Sequence, residues 1–405
     1  MSALRFGYIT GPLLGAFWMF ILATTISVAM SFTTGDPFKP VIWLSLLWGG
    51  LIGFGAVQGM VSRTVGAGLV AAGFVILGFI GLAPIAIGES TTAFSSTVAW
   101  ILLGAIAAFT TFVIMDDCNS GALTRHEFEA AVIRFLTGFG YIFFTAIVLI
   151  PFFVMVMTSL KNQAELIQNP LDFSLDLSKG TDLFRSYTEL FLDFNFGSYL
   201  WTSFYISILT VFITLAFAIP GAYAVARLRF KGRAAFSRSI LLIYMVPMIV
   251  LALPIYIAFS MAGLRNSIIG IVMIYPVTTI PVALYMLQGY FRGLPAEVEE
   301  AGLMDGLSRL KVIWKITLPL SLPAMASVSL YVFMIAWNEF LLAFMLLDDP
   351  SKFTLTRGIA SLNSSEIPRQ HLMAGSVIAT VPIMALFLGL ERFMTKGLTA
   401  GSVKG

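Results

Sequence analysis

Long stretches free of Asp, Glu, Lys and Arg alternate along this chain with short charged breaks. Ten of these stretches exceed 20 residues. They lie between Arg5 and Asp36, Lys39 and Arg63, Arg63 and Glu89, Glu89 and Asp116, Arg134 and Lys161, and Asp193 and Arg227. The remainder run from Arg238 to Arg265, Arg265 to Arg292, Lys315 to Glu339, and Arg369 to Glu391. A helix crosses the hydrocarbon core of a bilayer with about 20 apolar residues. The alternation of a lipid-facing barrel strand is absent. Unbroken apolar runs such as Ile240–Leu253 therefore read as helix, which satisfies its own backbone in lipid. The pattern predicts an all-α integral membrane protein with ten transmembrane helices.

The spacing divides the chain near residue 125. Residues 1–125 hold four closely spaced helices. Residues 126–405 hold six, with a longer loop over 161–193 and two structured loops. No inverted internal repeat of the secondary-transporter kind stands out. The first apolar segment follows a single basic residue, Arg5, and lacks an A-x-A-like end, so it reads as a retained helix rather than a cleaved signal.

Composition agrees with a bilayer. Apolar residues make up 58% of the chain and charged residues 11%, against about 45–50% and 25% in soluble domains. A net charge of +3 gives no basis for nucleic-acid binding. With the N-terminus inside, 16 of the 24 Lys and Arg fall on the cytoplasmic side, five of them in the acid-free loop Arg227–Arg238. That bias predicts both termini in the cytoplasm. Cys118 is alone, so no internal disulfide forms. His126 and His371, the only histidines, fall on opposite faces, which excludes a histidine metal cluster. No Gly-Lys dipeptide occurs, so there is no phosphate-binding P-loop. Any ATP chemistry must come from another chain.

The richest segment is the loop over residues 293–316. Pro295 can open a helix, and Glu297, Glu299 and Glu300 favour its positive end. Ala301, Leu303, Met304 and Leu307 supply an apolar stripe, Gly306 a bend, Lys311 and Lys315 a second helix, and Pro319 the entry to the next span. Physics allows two readings, an element that docks into a groove on a cytoplasmic partner or an amphipathic helix resting on the membrane.

Glu300-Ala301-Gly302, Asp305-Gly306 and Ile316-x-Leu318-Pro319 resemble the EAA loop of ABC-importer permeases, with Gly302 in place of the second alanine. Ala336-Trp337-Asn338-Glu339-Phe340, the fragment Ala218–Arg227 and the ending Lys396–Gly405 are similar to the maltose-type carbohydrate permeases. The resemblance covers residues 130–405 and leaves out the four N-terminal helices. It implies a type I ABC importer permease with a six-helix core, and a coupling role for Glu300, Ala301, Gly302, Asp305 and Gly306. It further implies a second permease subunit, ATP-binding subunits that carry the ATP and Mg, and an extracytoplasmic sugar-binding protein. The setting implied is a bacterial inner membrane with its lipid, and the chain itself is not an enzyme.

A sugar path needs polar and aromatic groups inside the membrane. Tyr275, Thr278 and Thr279 form a polar patch between Pro276 and Pro281, where the prolines either break or kink the helix. Glu339, with Asn338 beside it, is a pathway or gate residue or else a brace at a helix end. Trp337 is a stacking platform for sugar or an interfacial anchor. Asp116, Gly121 and Glu127 have the outline of a calcium loop, but Cys118 is a poor ligand at its third position. The competing reading is a polar turn with Thr124 capping the helix from Arg125. Two other function classes remain: an ion- or proton-coupled secondary transporter that uses Glu339 as its proton site, and an intramembrane enzyme, for which the lone internal acid has no partner.

Overall fold

The computed structural model describes residues 5–399, apart from 60, 89–90, 169–171 and 365–366. The Glu89 boundary and the last part of the Lys396–Gly405 ending lie outside the described residues. The chain forms two compact units, Met1–Leu183 and Phe184–Gly405.

The first unit holds α1 (Gly7–Thr34), α2 (Ile42–Gln58), α3 (Arg63–Phe79), α4 (Ala93–Ile114), α5 (Arg125–Ser159) and the short α6 (Gln163–Gln168). Glycine decides how α1 and α2 meet. Gly7, Gly11 and Gly15 recur every fourth residue on one face, as do Gly49 and Gly53 on the other. A Cβ on Gly11 would lie 2.7 Å from the Gly53 carbonyl oxygen, and one on Gly49 would strike the Gly15 carbonyl and Met19. The two backbones therefore touch. Where lipid removes the hydrophobic drive between helices, such close van der Waals contact holds them together. Two three-residue strands that the pattern did not predict, β1 (Phe38–Pro40) and β2 (Ile85–Ile87), pair antiparallel and join the α1–α2 turn to the α3–α4 turn. Three indole N–H groups are satisfied internally: Trp18 donates to Thr110 Oγ1 at 2.6 Å, Trp48 to the Leu82 carbonyl and Trp100 to the Ile85 carbonyl.

The turn over residues 116–127 takes the capped form. Thr124 Oγ1 accepts from the Glu127 amide at 3.2 Å, and Glu127 Oε2 accepts from the Thr124 amide at 2.7 Å. Asp116 pairs with Arg63 and Asp117 with Arg134. These carboxylates are engaged by guanidinium and amide groups, so the calcium outline gains no support from them. Within α5, none of the most apolar window is buried inside the protein.

The second unit begins with α7 (Arg185–Leu192) and α8 (Phe196–Arg227), followed by α9 (Arg233–Tyr244), α10 (Met248–Met261) and α11 (Ile268–Gly293). Next come α12 (Ala296–Met304), α13 (Arg309–Val312), a π-helical turn (Ile313–Thr317) and α14 (Leu318–Leu320). It ends with α15 (Leu322–Trp337), α16 (Leu341–Leu346), α17 (Leu355–Ser361) and α18 (Arg369–Thr399). Its core gathers Phe196, Ile206, Ile271, Tyr275, Leu287, Phe291, Leu342 and Leu346 from α8, α11 and α16. The inward face of α8 is partly polar: Ser203, Ser207, Thr210 and Thr214 are all buried. Thr214 and Thr279 share a hydrogen bond of 2.6 Å between their hydroxyls, joining α8 to α11 in the interior. At the start of the unit, Arg185 and His371 hold the Glu189 carboxyl below the usual carboxylate range, which ties α7 to α18.

Each of the ten expected stretches contains an apolar helix, but they differ in length. Among the described residues, six helices (α1, α4, α5, α8, α11 and α18) are long and apolar enough to cross a bilayer. The expected span Arg238–Arg265 is not one helix. The run Ile240–Leu253 breaks before Pro247, which has no N–H to donate and pushes Val246 out of the helical region. Arg309–Leu320 and Leu322–Trp337 form a bent pair at 77°, flanked by Pro319 and Pro323. α2 and α3 have 17 residues each, near the lower limit for a span.

Replacing Gly53 with Val should separate α1 from α2 and cost about 1–3 kcal/mol or more from overpacking. A clear drop in the melting temperature of the detergent-solubilised protein checks this. Gly55→Ala, where nothing lies within 4 Å of the added Cβ, should leave the melting temperature unchanged or slightly raised.

Candidate functional site

The loop after α11 folds as a helix, a turn and a second helix. Pro295 precedes the first residue of α12, and Glu297 and Glu299 lie in its first turn. The helix stops at a Schellman turn. Leu307 N donates to Gly302 O at 3.1 Å, and Gly306 N donates to Leu303 O at 3.1 Å. Gly306 has a φ of 84°, which a side chain would strain.

The two faces of α12 differ from the stripe read in the sequence. Met304 is 88% exposed, and Glu300, Ala301, Asp305 and Gly306 are also exposed. The buried residues are Glu299 and Gly302. Gly302 faces Ile316, whose Cδ1 lies 2.5 Å from where a Cβ would sit, with Leu307 and Val312 behind it. Glycine at this position brings α12 close to the π-helical turn.

Glu299 is the residue the motif did not single out. Its Oε1 accepts from Thr317 Oγ1 at 3.0 Å, and its Oε2 accepts from the Tyr223 hydroxyl at 3.3 Å. Arg227 Nε lies 3.4 Å from Oε1, in an ion pair whose side chains are 13% and 9% exposed. The Arg227 Nη2 donates to the Leu294 carbonyl at 2.7 Å. One buried carboxylate thus touches α8 and the turn that leads into α15. A signal was available in the spacing. Glu299 and Gly302 are three residues apart and share a helix face, and Tyr223 and Arg227 are four apart on the last turns of α8.

The proposed path residues are brought together only in part: Tyr275 meets Glu339, and the others turn to separate partners. α11 runs without a break through Pro276 and Pro281, so the prolines do not interrupt it. Tyr275 is 1% exposed, and its hydroxyl lies within interaction distance of the Glu339 carboxyl and the Thr354 hydroxyl. Thr278 donates to the Tyr275 carbonyl at 2.8 Å, and Thr279 is paired with Thr214. Trp337 is buried, stacked on Phe333 at 5.5 Å, and donates to the Ala379 carbonyl at 3.1 Å. It packs α15 against α18 and presents no open face. Asn338 is exposed and donates to the Met334 carbonyl at 2.9 Å. Glu339 occupies the break between α15 and α16. Its two oxygens accept from the amides of Leu342 at 2.8 Å and Ala343 at 3.1 Å. This is the geometry of a brace at a helix start.

Residues 218–399 match the family described as the binding-protein-dependent transport system inner membrane component. The chain is 37% identical over 270 residues to the inner membrane ABC transporter permease protein YcjP of Escherichia coli, covering 66% of this chain and 95% of YcjP. It is 33% identical over 282 residues to the trehalose/maltose transport system permease protein MalG of Thermococcus litoralis, covering 68% of this chain and 99% of MalG. The arabinooligosaccharides transport system permease protein AraQ of Bacillus subtilis is 30% identical over 288 residues, all of its length and 70% of this chain. In fold, the chain resembles a crystal structure of a bacterial ABC transporter involved in the import of the acidic polysaccharide alginate. That match has a TM-score of 0.56 at 22% identity, over 66% of this chain and 98% of that chain. An exposed short helix between long apolar ones, together with these matches, places the chain among the inner-membrane permease components of binding-protein-dependent ABC transport systems, in their carbohydrate-type group.

Proposed function

We propose that this chain is one membrane-spanning subunit of an ATP-driven importer that takes a carbohydrate from an extracytoplasmic binding protein and moves it by alternating access. The observation that carries the reading is α12. It is a short helix pinned on its Glu299–Gly302 side and exposed on the side that bears Glu300, Ala301, Met304 and Asp305. Such a face suits a cleft in a cytoplasmic ATP-binding subunit, which would hold the ATP and Mg. Residues 126–405 act as the six-helix core, and residues 1–125 as an extension of four further crossings. Support for the extension comes from MalG, whose near-full length is matched by only 68% of this chain. The short helices α2 and α3, the α9–α10 stretch and the bent pair complete ten crossings, with both termini cytoplasmic. The uncovered apolar surface of α5 suits lipid or a second permease subunit. The loops over 161–196 and 348–370 face the binding protein. The capping bonds of Glu339 favour a brace over the proton site of a secondary transporter.

Two experiments test the reading. Purification from native membranes in mild detergent should recover an ATP-binding subunit and a second permease with the wild type. Glu300→Lys and Gly306→Arg should lose most of the ATP-binding subunit while keeping the second permease. A wild type that purifies alone and moves solute without ATP overturns the importer reading. At the other end of α15, Glu339→Ala should cost about 0.5–2 kcal/mol through loss of the cap. Glu339→Gln, which keeps an acceptor oxygen, should retain most of the melting temperature and of ATP-dependent uptake. Loss of uptake in the Gln variant at an unchanged melting temperature would restore the proton-site reading.

A further inference from the structure

α12 has nine residues, too few to hold a helix in water unaided. It buries little apolar surface, because Glu299 and Gly302 are its buried positions. Apolar packing is limited to the seat of Gly302 on Ile316, which leaves the direction of α12 to its polar contacts. Two hydrogen bonds and an ion pair converge on one group: Glu299 accepts from Thr317 at 3.0 Å and Tyr223 at 3.3 Å, and Arg227 lies 3.4 Å away. Arg227 also holds the Leu294 carbonyl just ahead of α12, and Arg309 lies within electrostatic reach of the Tyr223 hydroxyl. We infer that Glu299 is a positioning residue whose carboxylate locks α12 to the end of α8 and to the base of α15, so that the three turn as one body. The inference rests on the coupling role proposed above for the exposed face of α12.

Stability alone does not account for a carboxylate here. Buried ion pairs often contribute no more than apolar residues of similar volume. What a charge-assisted network adds is geometry, since its bonds fix both distance and direction. An apolar contact would let α12 slide under load. Tyr223 and Arg227 engage the carboxylate from one side and Thr317 from another, so a push on the exposed face reaches both α8 and α15. The Schellman turn at Gly306 keeps the far end of α12 from unwinding.

The test uses the whole transporter recovered from membranes, in a Cys118→Ser background. Spin labels are placed on Val298→Cys in α12, away from the docking face, and Phe217→Cys in α8, both exposed in this chain. Distances are measured by pulsed electron resonance without nucleotide and after trapping with ATP and vanadate. The wild type should give one narrow distribution that is the same in both states. Glu299→Gln should keep its ATP-binding subunit, yet show a distribution at least twice as broad whose mean moves with nucleotide. Arg227→Gln should do the same. A Gln variant that matches the wild type in both states overturns the joint, as does one that only lowers the melting temperature. A wild type without any ATP-binding subunit overturns the importer reading, and the joint with it.

Discussion

Every polar group inside a hydrocarbon layer must find its partner within the protein. Water is absent there, and an unsatisfied N–H or hydroxyl costs several kcal/mol. Most hydroxyls on the helices of this chain follow that constraint, with Ser27 and Ser207 as exceptions. Thr24, Thr25, Thr97, Ser329, Ser376 and Thr380 each donate to the carbonyl four residues earlier. The indoles of Trp18 and Trp337 find a hydroxyl and a carbonyl on other helices. Polar residues that would mark a water-filled route in a soluble protein are here largely absorbed by packing.

The two units meet the constraint with different residues. In the first, glycine brings α1 and α2 into backbone contact, and tryptophans tie the bundle across its width. In the second, serine and threonine line the inward face of α8 and pair with α11. Small side chains let helices approach closely, and hydroxyls add bonds without bulk.

Charge enters the interior where it orders something. Glu339 starts α16 after the break that follows Trp337, and Glu299 orders the loop that carries the family motif. Arg233 closes α8 by donating to the carbonyls of Val225 and Ala226. Glu339 and Arg233 sit at helix ends, where backbone amides or carbonyls lack intrahelical partners, whereas Glu299 is held by side chains. A charge at a helix end satisfies the backbone and is itself satisfied.

The sequence by itself determined that the chain is an apolar helical protein, where its charged breaks fall, and that one loop carries the motif of ABC-importer permeases. These features depend on local composition and on short motifs, which no packing can change. The division of that loop into a buried and an exposed face came from tertiary structure. Glu299, Glu300, Ala301 and Met304 lie within two turns of one helix, and only the approach of Thr317 and Arg227 decides which of them is covered. The roles of Trp337 and Glu339 were open for the same reason. A tryptophan reads alike as platform or core, and a glutamate as gate or cap, until the neighbouring helix arrives. Proline was legible as a perturbation but not as an outcome: Pro276 and Pro281 leave α11 continuous, whereas the chain breaks before Pro247. The difference lies in how far the surrounding helices hold the backbone in place, and local sequence does not encode that.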